Sequence, residues 1–340
     1  MQRSLFSCLA LLASACGVFG LNDDERASLD QHKANASLYW SANRLPQALD
    51  QVRQGLEIDP SDYRLNTVKG YCLLRQAKDP RYATTPARKQ AMLEDAQAAF
   101  DATLALRSFQ EHGPQVLLGD ALLHEEFARF MLDEKHLAEA EAARREITSQ
   151  ERALFQVRLQ ECDTEARTHL ARSQRDLDVL IERGDMLRLA YKHMLSVKSL
   201  GDDYVGAVEA GQKYLEHAAA EQDAKQKVYE STMKVSTEEK VAQELSELVD
   251  DELTVRSQLA NLHFDRGKYD MAIFELDRIL QFDPSRSADY YNRARALYEA
   301  GRLDEAYRDV QKFLATHNLP AGHPSLVRAH DMLRQIEARR

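Results

Sequence analysis

The side chains of this chain best suited to nucleophilic or metal chemistry are those of its four cysteines and eleven histidines. The cysteines stand at positions 8, 16, 72 and 162, so no two of them form the CxxC pair of a zinc site. The closest histidines are His317, His323 and His330. Their spacing of six and seven residues does not project three rings from one helical turn, and the sequence therefore predicts no metal site.

Catalytic and cofactor-binding motifs are absent from the sequence as well. It contains no HExxH, no GxSxG, no phosphate-binding glycine loop and no dinucleotide fingerprint. Acidic residues outnumber basic ones, 55 against 45, and no lysine- and arginine-rich stripe is interleaved with aromatic residues. This balance argues against nucleic acid as a partner. We therefore expect a non-catalytic protein without a cofactor.

The N-terminal residues have the layout of a signal peptide. Residues 1–15 contain one charge, at Arg3, then an apolar stretch and then small residues. The apolar stretch is shorter than the roughly 20 residues that a bilayer-spanning helix needs. We therefore expect residues 1–15 to direct export and to be removed.

Cys16 follows the leader in a context that predicts lipidation. The segment Leu12-Ala13-Ser14-Ala15-Cys16 resembles a bacterial lipobox, although its leucine lies one residue further from the cysteine than is usual in lipoproteins. The resemblance implies a diacylglycerol on Cys16, which would attach the chain to a membrane. The alternative is ordinary cleavage after residue 15 or 20, which would release a soluble exported protein.

The chain also contains an internal repeat of 34 residues. Segments 253–284 and 287–318 align without a gap, which places five pairs of similar residues 34 positions apart. These pairs are Ala260 and Ala294, Gly267 and Gly301, Tyr269 and Leu303, Ala272 and Ala306, and Ile279 and Phe313. Repeats of this length are typical of stacked helical units.

The repeated residues resemble the tetratricopeptide repeat, in which each unit is a pair of antiparallel helices. The resemblance implies that the alanines lie where the two helices cross and that the glycines lie in the turn between them. The same spacing recurs near the N-terminus, with Ala36 and Ala48 flanking a turn at Asn43. Asparagine tolerates the left-handed backbone of such a turn. These observations predict an all-α fold, a solenoid of helix-turn-helix repeats.

Other segments fit the repeat less regularly. A second N-terminal unit has Gly70 in the first helix and Ala96 and Phe100 in the second, which implies an inserted loop at 79–90. Weaker matches occur at Ala128 and Ala140, with Leu137, and at Leu195 and Ala207, with Tyr204; Leu137 and Tyr204 stand where the two best repeats have Tyr269 and Leu303.

A long charged segment separates the two sets of repeats. Apolar residues in it follow steps of three and four, as one face of a long helix requires: Leu170, Leu177, Leu180, Leu187, Tyr191 and Met194. Two interpretations are open, an oversized repeat helix that packs on its neighbours and a coiled-coil arm with 221–248 as the returning helix. The first is favoured because the stripe weakens before Ala166.

These patterns divide the chain into four parts. They are a signal peptide at 1–15, N-terminal repeats at 16–136, long coiled-coil-like charged helices with one degenerate repeat at 137–250, and C-terminal repeats with a capping helix at 251–340.

In tetratricopeptide proteins, partner peptides lie in a groove formed by the first helix of each unit. The residues that this resemblance places in the groove are Asn261, Phe264, Asp265, Tyr291, Arg295 and Tyr298. Asn261 and Asn292 match two asparagines of the family's clamp for a peptide C-terminus, but Ser257 stands where that clamp has a lysine. We therefore expect binding of proteins or peptides without this particular specificity.

The combined features predict a protein-binding scaffold of the bacterial cell envelope, held to the membrane by its N-terminal lipid. Gly17 follows Cys16 in place of the aspartate that retains many such lipoproteins at the inner membrane, which favours the outer membrane and a periplasmic location. The alternative is a structural spacer whose long helices self-associate as a coiled coil and form a homo-oligomer.

Overall fold

The computed structural model describes residues 20–106, 113–144, 148–231, 235–320 and 322–339. These residues form helices and no strand, which confirms the predicted all-α class. The helices are α1 (Asp23–Ser41), α2 (Leu45–Ile58), α3 (Tyr63–Lys78), α4 (Pro86–Leu104), α5 (Pro114–Arg144), α6 (Ser149–Arg183), α7 (Leu187–Leu200), α8 (Tyr204–Ser231), α9 (Val235–Asp265), α10 (Tyr269–Phe282), α11 (Ser287–Glu299), α12 (Leu303–Thr316) and α13 (Pro324–Arg339). The expected leader and Cys16 lie outside the described residues.

The chain forms two compact units, Met1–Asp176 and Leu177–Arg340. Unit 1 contains α1 to α5 and most of α6, and unit 2 contains the end of α6 and α7 to α13. The boundaries expected after residues 136 and 250 fall inside α5 and α9. The charge composition of the sequence changes near residues 136 and 250, but no residue there ends a helix.

Four helix pairs are joined by the same turn. The turn residue is Asn43, Asp202, Gly267 or Gly301, and its φ lies between 56° and 77°. The next residue donates its N–H to the carbonyl five positions earlier, at 2.8–2.9 Å, as in a Schellman cap. The pairs α1–α2, α7–α8, α9–α10 and α11–α12 confirm the predicted tetratricopeptide-like hairpins.

Small residues lie where the two helices of a hairpin cross. The alanines predicted for these positions are only 0–3% exposed: Ala36, Ala48, Ala260, Ala272, Ala294 and Ala306. A side chain without atoms beyond Cβ allows the helices to approach closely, and larger apolar residues fill the space on either side. In unit 2 these larger residues include Leu297, Val310 and Phe313.

Glycine has the same role in the hairpin α3–α4. The ring of Phe100 is fully buried and lies against Gly70 of α3 and Gly119 of α5. A Cβ on either glycine would come within 2.5–2.8 Å of ring atoms, so neither position accepts a side chain without movement. The pairing of Gly70 with Phe100 was expected from the repeat, and the contact with Gly119 was not.

The loop inside this hairpin is shorter than predicted. Residues 79–85 connect the helices, and the remaining residues of the expected 79–90 loop form the start of α4. Pro86 is at the first turn of α4, where its missing N–H costs no helical hydrogen bond. The N–H of Arg88 donates to Thr85 Oγ1 at 3.2 Å, which caps the helix.

The weak repeat expected around Ala128 and Ala140 is wrong. Helix α5 is 31 residues long and continues through both residues, and Leu137, expected to fill the space between two helices, is 60% exposed on its surface. Its partner is α6, since Arg158 Nη2 lies 2.8 Å from Glu134 Oε2. The long charged helices of unit 1 thus pack on each other, as the favoured interpretation required.

A second pair of long helices lies in unit 2. Helices α8 and α9 contact each other, with Lys225 Nζ 2.5 Å from Glu244 Oε2. Gln222 Nε2 donates to Glu252 Oε2 at 3.0 Å. The segment 221–248, considered as the returning helix of a coiled-coil arm, therefore belongs to a separate helix pair, α8 and α9.

The apolar stripe from Leu170 to Met194 is not one helix. Gly184 has a φ of 71°, and the N–H of Asp185 donates to the carbonyl of Leu180, which ends α6 with a Schellman-type cap. A new helix, α7, then begins at Leu187. The three- and four-residue spacing of the apolar residues happens to continue across the break. This spacing alone therefore could not reveal the turn.

A buried polar cluster joins α5 to α6 within unit 1. Asp120 is fully buried, and Arg172 donates to its two oxygens at 3.0 and 3.2 Å. His124 Nδ1 lies 2.6 Å from His169 Nδ1, so one ring must donate and the other must accept. This contact requires at least one imidazole to be neutral, because two imidazolium rings would place hydrogens against each other.

Burial changes the protonation of this cluster. The pKa of Asp120 is raised to about 8, chiefly by desolvation and also by the adjacent Asp176 carboxyl, while Arg172 opposes both. Desolvation together with the charge of Arg172 lowers the pKa of His124 to about 2. No hydrogen bond satisfies Asp176 Oδ2, which is buried. A proton on Asp120 would supply the missing donor.

We predict that leucine in place of Ala272 or Ala306 destabilises unit 2 by about 1–3 kcal/mol, because a fully packed helix crossing must deform to admit an isobutyl group. The matched control is Ala315→Leu, which adds the same group at an exposed position of α12. Urea unfolding measured by circular dichroism compares the three variants. Equal free energies of unfolding for all three would contradict the assigned crossing.

The Asp120 carboxyl predicts a pH dependence for the stability of unit 1. A carboxyl whose pKa is raised on folding stabilises the fold below its unfolded pKa of about 4, and this contribution is lost as the pH rises through about 8. Below pH 6.5 the lowered pKa of His124 has the opposite effect, because it makes the free energy of unfolding rise with pH. We therefore expect the free energy of unfolding to fall by about 1–2 kcal/mol between pH 6.5 and 8.

The substitution Asp120→Asn isolates this effect, because asparagine has a similar shape and does not titrate. Unfolding titrations at several pH values should show a flatter profile above pH 6.5 for the variant than for the native protein. Asp163→Asn on the same helix pair is the control, since Asp163 is ion-paired near the surface and the pKa of its carboxyl is lowered by Lys135. A decline unchanged by Asp120→Asn would exclude this carboxyl as its cause.

Candidate binding surface

The six residues predicted to face a partner lie on two neighbouring helices of unit 2. Asn261, Phe264 and Asp265 are in the last turns of α9, and Tyr291, Arg295 and Tyr298 follow one another along α11. The opposite sides of these helices carry Ala260, Ala294 and Leu297, which are buried. All six residues retain exposed or partly exposed side chains.

The structure brings three of the six residues together. The Arg295 guanidinium carbon lies 4.5 Å from the centroid of the Phe264 ring, which is the geometry of a cation–π contact. Phe264 in turn packs edge-on against Tyr269, with 5.5 Å between ring centroids. Tyr291 lines the same cavity as Arg295. Asn261 and Asp265 are exposed and do not line this cavity.

Tyr298 has a different environment, because α13 covers it. Its hydroxyl lies 3.3 Å from Gln335 Oε1, and the guanidinium carbon of Arg339 lies 4.9 Å from its ring centroid. The sequence predicted an open groove at this position. Helix α13 packs on α12 and closes the surface there, leaving the ring half-buried.

The cavity next to Tyr291 has a volume of about 400 Å³. Its walls come from α11, the end of α12, the following loop and the start of α13. The lining residues are Ala288, Tyr291, Asn292, Arg295, Phe313, Leu319, His323, Ser325 and Arg328. Sequence reasoning did not find the residues from α13, because their place beside α11 depends on how the last helix packs.

Ion pairs behind this surface hold the hairpins in register. Arg293 of α11 bonds Asp277 of α10 and Asp309 of α12, each at 2.6 Å. These hydrogen bonds raise the pKa of Arg293. Arg256 of α9 bonds Glu275 of α10 at 2.8 Å. Each guanidinium therefore links consecutive helices, which fixes how α9 and α11 present their outer residues.

Metal and thiol chemistry find little support in the described part of the chain. No group of three His, Cys, Asp or Glu side chains there is arranged to hold a metal ion. Cys72 and Cys162 are buried and free, and burial raises the pKa of the Cys72 thiol to about 12. Burial likewise raises the pKa of Cys162, so both thiols are poor nucleophiles.

No helix among the described residues is both long enough and apolar enough to cross a membrane.

Comparison with known proteins links unit 2 to one family. The family described as the bacterial transcriptional activator domain matches residues 204–332, a stretch from the start of α8 into α13. No curated protein matches the chain significantly.

Solved structures with similar folds are helical repeat proteins of low sequence identity. The chain is similar to Pseudomonas aeruginosa PilF, with 14% identity and a TM-score of 0.48 over 94% of this chain and 100% of that chain. A tetratricopeptide repeat protein from Parabacteroides merdae has 14% identity and a TM-score of 0.38, covering 92% and 99% of the two chains. The tetratricopeptide domain of P58(IPK) has 14% identity and a TM-score of 0.23, covering 90% and 98%.

Proposed function

We propose that this protein is a non-catalytic scaffold that binds other proteins through the outer surface of α9 and α11. The observation that carries the proposal is the group formed by Phe264, Tyr291 and Arg295. Their side chains are at least partly exposed, whereas the alanines behind them take part in helix packing. Aromatic residues and arginine are the types that contribute most binding energy at protein interfaces.

The placement of these residues on rigid helices supports the same function. Arg295 is held over Phe264, and the adjacent Arg293 ties α11 to α10 and α12. A surface that is already ordered loses little conformational entropy when a partner binds.

We further propose that the chain acts in the bacterial cell envelope as an outer-membrane lipoprotein facing the periplasm. This proposal rests on the leader at 1–15, the lipobox-like residues before Cys16 and Gly17 after it. The acidic balance of the chain is consistent with protein rather than nucleic acid as the partner.

Capture from envelope extracts tests the binding surface, with the full chain as bait and mass spectrometry to identify what is retained. We expect Phe264→Ala with Tyr291→Ala to weaken capture several-fold, since aromatic contacts at interfaces are worth about 2 kcal/mol or more. Both rings are half-buried, so some loss of stability is expected too.

The matched control is Tyr290→Ala. Tyr290 is a half-buried tyrosine of the same helix, but its ring lies near Arg293 and Lys312, which places it on the side of α12. It should lower the melting temperature without reducing capture. If it reduces capture as much as the double variant, the loss reflects stability, and the proposed surface is wrong. A native protein that captures nothing would contradict the scaffold function itself.

The lipid anchor is tested by fractionation of cells that express the full chain. We expect the native protein in the membrane fraction and Cys16→Ser in the soluble fraction, because each buried CH₂ of an acyl chain contributes about 0.8 kcal/mol. Cys8→Ser, inside the same leader, should leave the protein with the membrane. Mass spectrometry of the mature N-terminus provides the direct measurement, and an unmodified terminus would replace the lipoprotein with a soluble exported protein.

A further inference from the structure

The cavity beside α11 contains hydrogen-bonding side chains that have no partner among the described residues. The side chains of Asn292, Arg295, Ser325 and Arg328 make no hydrogen bond or ion pair there. His323 accepts the backbone N–H of Ser325 through Nδ1, at 3.2 Å, which leaves its Nε2 as a donor. The described part of the chain therefore supplies no acceptor to these donors.

The charge of the lining is also unusual for this chain. Two arginines and a histidine line the cavity, and none of its lining residues is acidic. Several other arginines of unit 2 pair with carboxylates, as in the pairs Arg188 with Asp251, Arg256 with Glu252 and Arg302 with Glu305. In a chain with ten more acidic than basic residues, a cationic cavity free of carboxylates leaves a place for an external anion.

Arg295 is available for such a contact. Its guanidinium carbon lies 4.5 Å from the centroid of the Phe264 ring, a cation–π contact that uses none of its N–H groups in a hydrogen bond. A carboxylate can accept two of these N–H groups.

The remaining lining residues match a peptide better than a free ion. The Asn292 side chain both donates and accepts, as the backbone of an extended segment does. Phe313 and Leu319 add an apolar part of the lining, and the Tyr291 ring lies 5.1 Å from that of Phe313. Apolar side chains between acidic ones would contact this part.

We propose that this cavity binds an acidic segment of a partner protein, in which internal carboxylate side chains pair with Arg295 and Arg328 while an adjacent apolar side chain packs on Tyr291 and Phe313. The proposal rests on the proposed scaffold function and names the chemistry of its partner. Nucleic acid phosphates are disfavoured by the net charge of −10.

Fluorescence anisotropy tests the proposal with a defined probe. The probe is a fluorescein-labelled peptide of alternating glutamate and leucine or phenylalanine, amidated at its C-terminus so that only side chains supply carboxylates. A second probe has glutamine at each glutamate. The full chain should bind the glutamate probe at low salt, and Arg295→Gln and Arg328→Gln should each weaken this binding about tenfold.

The control variant is Arg334→Gln. It removes the same charge from the same helix as Arg328, and both arginines are exposed, but Arg334 pairs with Asp331 and does not line the cavity. It should change the affinity less than about twofold, since a remote exposed charge acts only through screened attraction. Circular dichroism melting of all variants confirms that each one is folded.

Three outcomes would overturn the proposal. One is equal binding of the glutamate and glutamine probes, and another is an equal loss of affinity for Arg334→Gln and Arg328→Gln. The third is displacement of the probe by inorganic phosphate at a much lower concentration than chloride requires at matched ionic strength. Such a result would indicate a site for free anions.

The capture experiment separates this proposal from the scaffold function. Retained partners whose capture is lost in the Phe264→Ala and Tyr291→Ala variant but unchanged by Arg295→Gln and Arg328→Gln would overturn the acidic-segment assignment and leave the scaffold function in place. Failure of the native chain to retain any partner would overturn the scaffold function instead.

Discussion

The structure depends on how closely two helices of a hairpin can approach each other. In three hairpins the crossing points are alanines with at most 3% exposure, and in α3–α4 Phe100 fits against the bare backbone of Gly70 and Gly119. A larger residue at any of these positions would separate the helices. The apolar side chains around the crossing would then lose contact along the whole length of the pair.

The left-handed turn residue complements this packing. A helix that ends in a Schellman-type cap reverses direction within a few residues, so the second helix returns directly onto the first. Asn43, Asp202, Gly267 and Gly301 achieve this with three different residue types. Close crossing and tight reversal together produce a hairpin that can be stacked, and ion pairs such as Arg293 with Asp277 and Asp309 link one hairpin to the next.

Polar groups are used in two contrasting ways. Most charged residues near the packed surfaces are satisfied inside the chain, including the Asp120 and Arg172 pair buried between α5 and α6. The cavity at α11 and α13 is the contrast. Arg295 lies over the ring of Phe264, and neither Arg295 nor Arg328 has a carboxylate beside it in the cavity. These unpaired arginines are the basis of the binding site that we propose there.

The sequence by itself determined the hairpins of the repeats. The alanine, turn and apolar positions lie within one or two helical turns of each other, so their spacing directly reflects contacts in the folded unit. It also located Phe264, Tyr291 and Arg295 on exposed helix faces, because the buried alanines define the opposite faces. Local patterns were less informative where a helix simply continued, as at Leu137, or stopped within an unbroken apolar spacing, as at Gly184.

Only the tertiary structure decided which distant residues meet. The extent of the two units, the cover that α13 places over Tyr298 and the addition of His323 and Arg328 to the cavity all depend on the packing of helices that are separated along the chain. The same holds for the arginines that lack a carboxylate. Whether a charge finds a partner depends on distances of a few ångströms between helices, and no spacing along the sequence encodes those distances.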